Sequence, residues 1–281
     1  MDIGIIGNGF VGKATQLFRC DEINIKVYDK NPDLCEPFGT NLDDLLKCSI
    51  IFVSVPTPMN KDGSCCENIV KSVVDKLNNL DYKGFIVIRS TISIGTSDEL
   101  GCYFMPEFLT EKNFVKDFIN NKDWILGLLN DKKDEKFKKI IDNLIQIAYY
   151  SKKIKYNNLT YVSNKEAEMI KLMRNNFLAT KVSFCNEISE FCEKKNIIYE
   201  NVRKLAMNDE RILHSHSYVP GPDGKRGFGG TCFPKDSNSL NFQMKKVMMN
   251  PYISDAIIKR NINIDRKEKD WESDIGRAVI N

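Results

Sequence analysis

Short apolar runs alternate with amphipathic stretches through the first half of the chain. Residues 3–7, 25–29, 50–55, 85–88, 103–105 and 124–128 are apolar runs of strand length. Between them, residues 11–18, 69–80 and 132–147 read as helices. In the last of these Phe137, Ile140, Ile141, Leu144 and Ile145 fall on one helical face. Strands that alternate with helices predict a parallel sheet with helices on both faces. The second half changes character. Ser163-Asn164-Lys165-Glu166 has the form of a capping box. A helical pattern runs from it to about residue 195, uninterrupted by Gly or Pro. Ile170, Met173, Phe177, Phe184, Ile188 and Phe191 recur at three- or four-residue steps, which predicts a buried face. Further helices are expected at 199–207, after Pro234-Lys235-Asp236, and from Tyr252.

The first strand runs into Gly7-Asn8-Gly9-Phe10-Val11-Gly12, a G-x-G-x-x-G between a predicted strand and a predicted helix. That context is what gives the motif meaning. The first glycine allows the tight turn, the second lets backbone approach a pyrophosphate, and the third lets helix pack on strand. The amides of Phe10 and Val11 open a helix whose N-terminus suits phosphate. Asp29, with Lys30 beside it, ends the second strand, where a carboxylate accepts from a ribose diol and repels a 2′-phosphate. The expected cofactor is therefore NAD rather than NADP. The predicted fold class is α/β. A Rossmann-type parallel sheet over residues 1–160 is followed by an all-α central domain, 161–281, on a long connecting helix.

Composition narrows the field. At 281 residues the chain has room for two domains, and its net charge of +3 gives no reason to expect nucleic acid. No apolar run approaches a membrane span and the N-terminus does not read as a signal peptide. The nine Cys form no CxxC pairs, so reduced thiols and a cytoplasmic location are expected. His214 and His216 make an incomplete metal site, and no metal is expected.

Further strings are not explained by packing. They are Val55-Pro56-Thr57-Pro58, Ser90-Thr91, Pro106-Glu107-Phe108-Leu109-Thr110-Glu111, Lys171 with Asn175, Asn186-Glu187, and Gly227-Phe228-Gly229-Gly230-Thr231-Cys232-Phe233-Pro234-Lys235-Asp236. In this order, over about residues 1–265, the chain resembles the UDP-glucose/GDP-mannose dehydrogenase family. The resemblance implies oxidation of the C6 alcohol of a nucleotide sugar to a carboxylate with two NAD, UDP-glucose to UDP-glucuronate foremost. It implies Cys232 as nucleophile, and Lys171 and Asn175 as the pair that holds the reacting oxygen. Asp236 would act with Lys171 through a water, and Glu111 with Thr91 would help hydrolyse a thioester. Thr57, Thr91, Glu111 and Lys235 would lie near the cofactor. Glu107, Phe108, Leu109, Arg211 and Gly229 would lie on the substrate side. Two hydride removals suit a covalent thiol adduct, which keeps the aldehyde from escaping.

Some features depart from the family. Lys112 follows Glu111 where a Gly is common, Asp123 stands where relatives often have a basic residue, and the loop 220–226 is long. Relatives carry a third, nucleotide-gripping domain, and the expectation from this sequence is that it is absent. Three readings stay open: a compact nucleotide-sugar dehydrogenase, a two-domain β-hydroxyacid dehydrogenase-like enzyme, and a non-catalytic NAD-binding remnant. The long helix is expected to support a homodimer.

Overall fold

The computed structural model describes residues 1–280. The chain forms two compact units. One comprises Met1–Thr57 with Glu67–Lys171, and the other Pro58–Cys66 with the chain from Leu172 onward.

The first unit is built on a seven-stranded sheet. Its elements in chain order are β1 (Asp2–Ile6), α1 (Phe10–Thr15), β2 (Asn24–Tyr28), β3 (Ile50–Val53), α2 (Asn68–Asn79), β4 (Phe85–Ile88), α3 (Thr96–Glu99), β5 (Tyr103–Phe104), α4 (Phe114–Ile119), β6 (Asp123–Leu128), α5 (Asp134–Tyr150) and β7 (Asn158–Ser163). The strand order is β2-β1-β3-β4-β5-β6-β7. Strands β3 and β4 are buried at every position, as a sheet covered on both faces requires. The expected parallel sheet is corrected at one pairing: β5 runs antiparallel to β6, with Phe104 opposite Gly127. β7, which the apolar pattern did not suggest, pairs parallel to β6 from Asp123↔Asn158 to Leu128↔Ser163. It lies at the sheet edge and buries none of its residues fully, so it carries no apolar run to announce it. Two apolar clusters make the core. One gathers Ile3, Ile5, Phe18, Phe52, Val87, Trp124 and Phe137. The other gathers Ile6, Ile51, Val53, Val74, Ile88 and Ala167.

The capping box forms. Ser163 donates from its backbone N–H and its hydroxyl to the Glu166 carboxylate at 2.8 and 2.7 Å, and the Glu166 N–H returns to Ser163 Oγ at 3.3 Å. It opens α6 (Asn164–Lys194), 31 residues long. The sequence set a division at 160/161, whereas packing divides the chain at 171/172 and moves 58–66 into the second unit. The reason is that the first turns of α6 are tied into the sheet unit. Asn164 donates to Asp98 and to the Cys102 carbonyl, and Glu168 accepts the N–H groups of Gly95 and Ser97.

The second unit continues with α7 (Tyr199–Ala206), α8 (Phe233–Lys246) and α9 (Tyr252–Arg260), and a π-helical turn over Asn261–Asp265 follows. Its apolar core is small: Ala179, Phe228 and Ile257, with Val182, Phe233 and Ile258 against them. The expected buried face of α6 is overturned. Met173, Phe177, Phe184 and Phe191 are more than half exposed. The helix instead buries Leu172, Asn175, Asn176, Ala179, Ser183, Asn186 and Ser189. Among the described residues no helix is long and apolar enough to cross a membrane.

Candidate active site

The glycine loop lies between β1 and α1. Gly7 has φ +95°, and a Cβ there would lie 2.5 Å from the Ser54 carbonyl oxygen. A Cβ on Gly12 would meet the Gly7 oxygen at 2.0 Å. These two glycines are required by the chain itself. Gly9 is different: its φ is −70° and an added Cβ would meet nothing within 4 Å. The protein does not need a glycine there, but a closely approaching pyrophosphate would. No side chain caps the N-terminus of α1, so its first amides are not occupied from within by a capping group. Asp29 is half-buried at the end of β2. Its carboxylate accepts the Asn8 N–H at 2.7 Å and the Asn31 N–H at 2.9 Å. Each oxygen keeps lone-pair capacity for a ribose hydroxyl. Phe10 and Val11 are partly buried and Lys30 is exposed. The residues present fit a dinucleotide.

Lower in the same unit, Thr57 is 4% exposed and donates to the Thr91 carbonyl at 2.7 Å. Ser90 donates to the Val55 carbonyl at 2.6 Å. These bonds tie the loop after β3 to the loop after β4. Lys171 and Glu107 are both buried. The Lys171 ammonium reaches the Glu107 carbonyl at 2.7 Å and its carboxylate at 2.5 Å. The other carboxylate oxygen accepts the Leu109 N–H at 2.8 Å, and the Phe108 ring centroid lies 5.9 Å from the ammonium. A buried lysine needs such a partner to keep its charge. Two of its three N–H donors are thereby used. Glu111 is exposed. Arg89, which no motif singled out, is 3% exposed and donates to Thr15 Oγ1 at 2.8 Å. Burial pushes its guanidinium down to about 10, with the Glu107 carboxylate pulling the other way.

In the second unit Cys232 is the N-cap residue of α8, half-buried, with Thr231 Oγ1 3.8 Å from its sulfur. Its carbonyl accepts the Asp236 N–H at 2.9 Å. Asp236 is 1% exposed, and its two oxygens are shared between Asn175 Nδ2 at 2.6 Å and Lys235 Nζ at 2.6 Å. Burial works against the Lys235 charge. Asp236 foremost, then the thiols of Cys65 and Cys232, outweigh it, and the ammonium is held above its ordinary range. Asn175 follows Lys171 by one turn of α6, on the same helix face. Asn176 adds a donor to the Asp236 carbonyl at 3.3 Å. Gly229 is partly buried beside the Arg266 guanidinium. Arg211 stands apart: its side chain is 87% exposed and paired with Asp209. A cavity of about 310 Å³ opens beside Gly230, lined by Asp270, Trp271, Ser273 and Asp274. Burial pushes the thiol of Cys48 up to about 11 and that of Cys102 up to about 12, which makes those two poor nucleophiles.

Sequence reasoning missed Arg89, Asn176, Asn261 and Arg266. None sits in a recognisable string, and each is singled out by burial of a polar side chain. Among the described residues no group of three His, Cys, Asp or Glu is gathered as a metal site would require.

A parallel sheet that turns through a glycine loop into a helix, with a carboxylate at the end of the second strand, defines a dinucleotide-binding fold. Comparison with known proteins takes this further. The profile for the UDP-glucose/GDP-mannose dehydrogenase family, NAD binding domain, matches residues 37–145, and that for the family's central domain matches residues 165–263. The chain belongs to the UDP-glucose/GDP-mannose dehydrogenase family. It is 28% identical to the UDP-glucose 6-dehydrogenase of Rickettsia prowazekii, over 93% of this chain and 67% of that protein. It is 29% identical to UDP-glucose 6-dehydrogenase YwqF of Bacillus subtilis, over 85% of this chain and 61% of that one. The chain thus spans about two thirds of the length of these relatives. In fold it is similar to a UDP-glucose dehydrogenase from Pyrobaculum islandicum, with TM-score 0.78, 22% identity, and coverage of 92% of this chain and 67% of that one. It is also similar to the 3-hydroxyisobutyrate dehydrogenase of Mycobacterium tuberculosis, with TM-score 0.65, 13% identity, and coverage of 92% and 91%.

Proposed function

We propose that this chain oxidises the C6 alcohol of a nucleotide sugar, UDP-glucose to UDP-glucuronate foremost, in two steps with NAD and a covalent intermediate on Cys232. The observation that carries the reading is the buried chain Asn175–Asp236–Lys235 directly behind Cys232 at the start of α8. Such a buried carboxylate, held by an amide and an ammonium, belongs to a site rather than to packing. Bound NAD supplies the hydride acceptor. Gly7, Gly9, Phe10, Val11 and Gly12 would cradle its pyrophosphate, Asp29 and Lys30 would serve its ribose, and Thr57, Thr91, Glu111 and Lys235 would serve its reactive end.

The residues then divide the work. Lys171 and Asn175 hold the C6 oxygen and stabilise the negative charge that develops as its proton leaves. Asp236 takes that proton through a water, and the first hydride leaves C6 to give the aldehyde. The Cys232 sulfur adds to the aldehyde carbon, and the oxygen takes up a proton as the thiohemiacetal forms. A second hydride leaves C6 as the hydroxyl proton returns through the water to Asp236, and the thioester results. Glu111, with Thr91 holding a water, assists attack on the thioester carbon, and the Cys232 thiolate departs as the carboxylate forms. Glu107 holds Lys171 in place through its carbonyl and its carboxylate. Phe108, Leu109 and Gly229 would line the substrate side, with Arg211, exposed and paired with Asp209, at its outer rim.

The exposed apolar face of α6, Met173, Phe177, Phe184 and Phe191, supports a homodimer, since a face of that size seldom stays in water. A β-hydroxyacid dehydrogenase-like reaction is the second reading. The similarity to 3-hydroxyisobutyrate dehydrogenase favours it at the level of fold alone. That reaction needs no thiol, so Cys232 separates the two. The purified chain, incubated with NAD and a panel of UDP- and GDP-sugars, should form two NADH per uronate. NADH formation from small 3-hydroxy acids, with none from nucleotide sugars, would overturn the proposal.

A further inference from the structure

Arg266 lies outside every sequence string that carries chemistry, yet it is 3% exposed. Its Nε and Nη2 donate to the two oxygens of Asp270 at 3.1 and 2.8 Å. Nη2 also donates to Asp223 at 2.6 Å, and Nη1 to the Arg226 carbonyl at 3.1 Å. Four of the five guanidinium N–H donors are therefore committed to the protein. Asp223, Asp270 and Glu268 surround it with negative charge, so it is not placed to grip a phosphate. What it does touch is the loop that leads to Cys232. A Cβ on Gly229 would lie 2.5 Å from Nη2. Gly224, Gly227 and Gly230 all have positive φ, so without cross-bracing this loop would cost much conformational entropy to hold.

We infer that Arg266 is a positioning residue that fastens the glycine-rich loop 220–230 at three points and so fixes Cys232 for attack. The inference rests on the dehydrogenase reading above. Arg266 reaches the loop near its start through Asp223, at its middle through the Arg226 carbonyl, and near its end by packing on Gly229. Asn261 completes the brace, accepting the Phe228 N–H and donating to the Phe228 carbonyl, both at 2.8 Å. The planar fork is what the site uses. A lysine keeps the charge but cannot serve two carboxylates and a carbonyl in one plane.

The test compares the full chain with R266K and R266A by hydrogen exchange and by turnover. In R266K the amides of residues 221–232 should exchange at least about tenfold faster, while those of β1, β3, β4 and the middle of α6 keep their rates. The kcat with UDP-glucose should fall at least about tenfold, with KM for NAD unchanged. R266A should exceed R266K on both counts. If R266A fails to fold, R266K alone decides. Unchanged loop exchange in R266K, or acceleration spread evenly over the sheet and α6, overturns the inference, as does a raised KM for NAD with kcat intact. A wild type that turns over no nucleotide sugar sinks the dehydrogenase reading, and the exchange rates still decide whether Arg266 holds the loop.

Discussion

The two units are stabilised in opposite ways. The sheet unit buries runs of Ile, Val and Phe on both faces of its strands in two large apolar clusters, and its buried polar groups, among them Arg89, Glu107, Glu168 and Lys171, lie outside those clusters. The helical unit has a small apolar core and buries Asn175, Asn176, Ser183, Asn186, Asp236, Ser237, Asn241, Asn261, Asp265 and Arg266 instead. At the same time it leaves Phe177, Leu205 and Met248 at 67%, 81% and 92% exposure. A unit that spends its interior on polar networks gains less from the hydrophobic effect and more in fixed geometry. The sheet unit is a scaffold whose energy comes from area. The helical unit holds chemical groups in register and leaves large apolar side chains on its surface.

The largest effect expected from this contrast is at Cys232. Changing Cys232→Ala should lower uronate formation at least about a thousandfold while thermal unfolding stays within a degree or two. A substantial loss of melting temperature would mean that the thiol is a packing residue after all. Next, Phe52→Ala in the sheet core should cost about 3–5 kcal/mol, read from denaturant unfolding. Phe177→Ala on the exposed face of α6 should cost the isolated chain under about 0.5 kcal/mol. Sedimentation equilibrium of that second variant should show a weakened dimer. A monomeric wild type at micromolar concentration would remove the explanation for that face.

A smaller effect is expected in the cofactor loop. Asp29→Asn should weaken NAD binding about tenfold by calorimetry and relax the preference against NADP, because a neutral amide no longer repels a 2′-phosphate. Wild type that binds NADP more tightly than NAD would contradict that role. The smallest effect concerns Glu168. Burial raises its carboxyl above the usual range, against the pull of the Gly95 and Ser97 amides. The folded state then holds a proton that the unfolded state releases. The corresponding stability is present below the unfolded carboxylate range and is lost as pH rises through the folded titration. Glu168→Gln should flatten the stability profile over that interval, measured by melting temperature against pH. An unchanged slope would assign the pH dependence elsewhere.

Much of the sheet unit was legible because local pattern and burial coincide there. An apolar run bounded by turns is a buried strand, the glycine at 7 is demanded by its own positive φ, and that at 12 by the Gly7 carbonyl five residues earlier. Ser163 and Glu166 announced the start of α6 because a capping box is local chemistry. Where the signal is not local the sequence misled or said nothing. The apolar period of α6 predicts a buried face, but periodicity reports that a face is apolar and not what covers it. Tertiary structure instead turned the Asn and Ser residues inward and Phe177, Phe184 and Phe191 outward. The edge strand β7 had too little burial to leave a pattern, and the reversal of β5 against β6 depends on how the chain returns rather than on either strand. The strings around Cys232 and Lys171 named the chemical groups. That Lys171 is neutralised by Glu107, that Asp236 is shared between Asn175 and Lys235, and that Arg266 holds the loop were decided only by folding. Apart from Lys235, which adjoins Asp236, each joins residues tens of positions apart, and no local propensity encodes such a meeting.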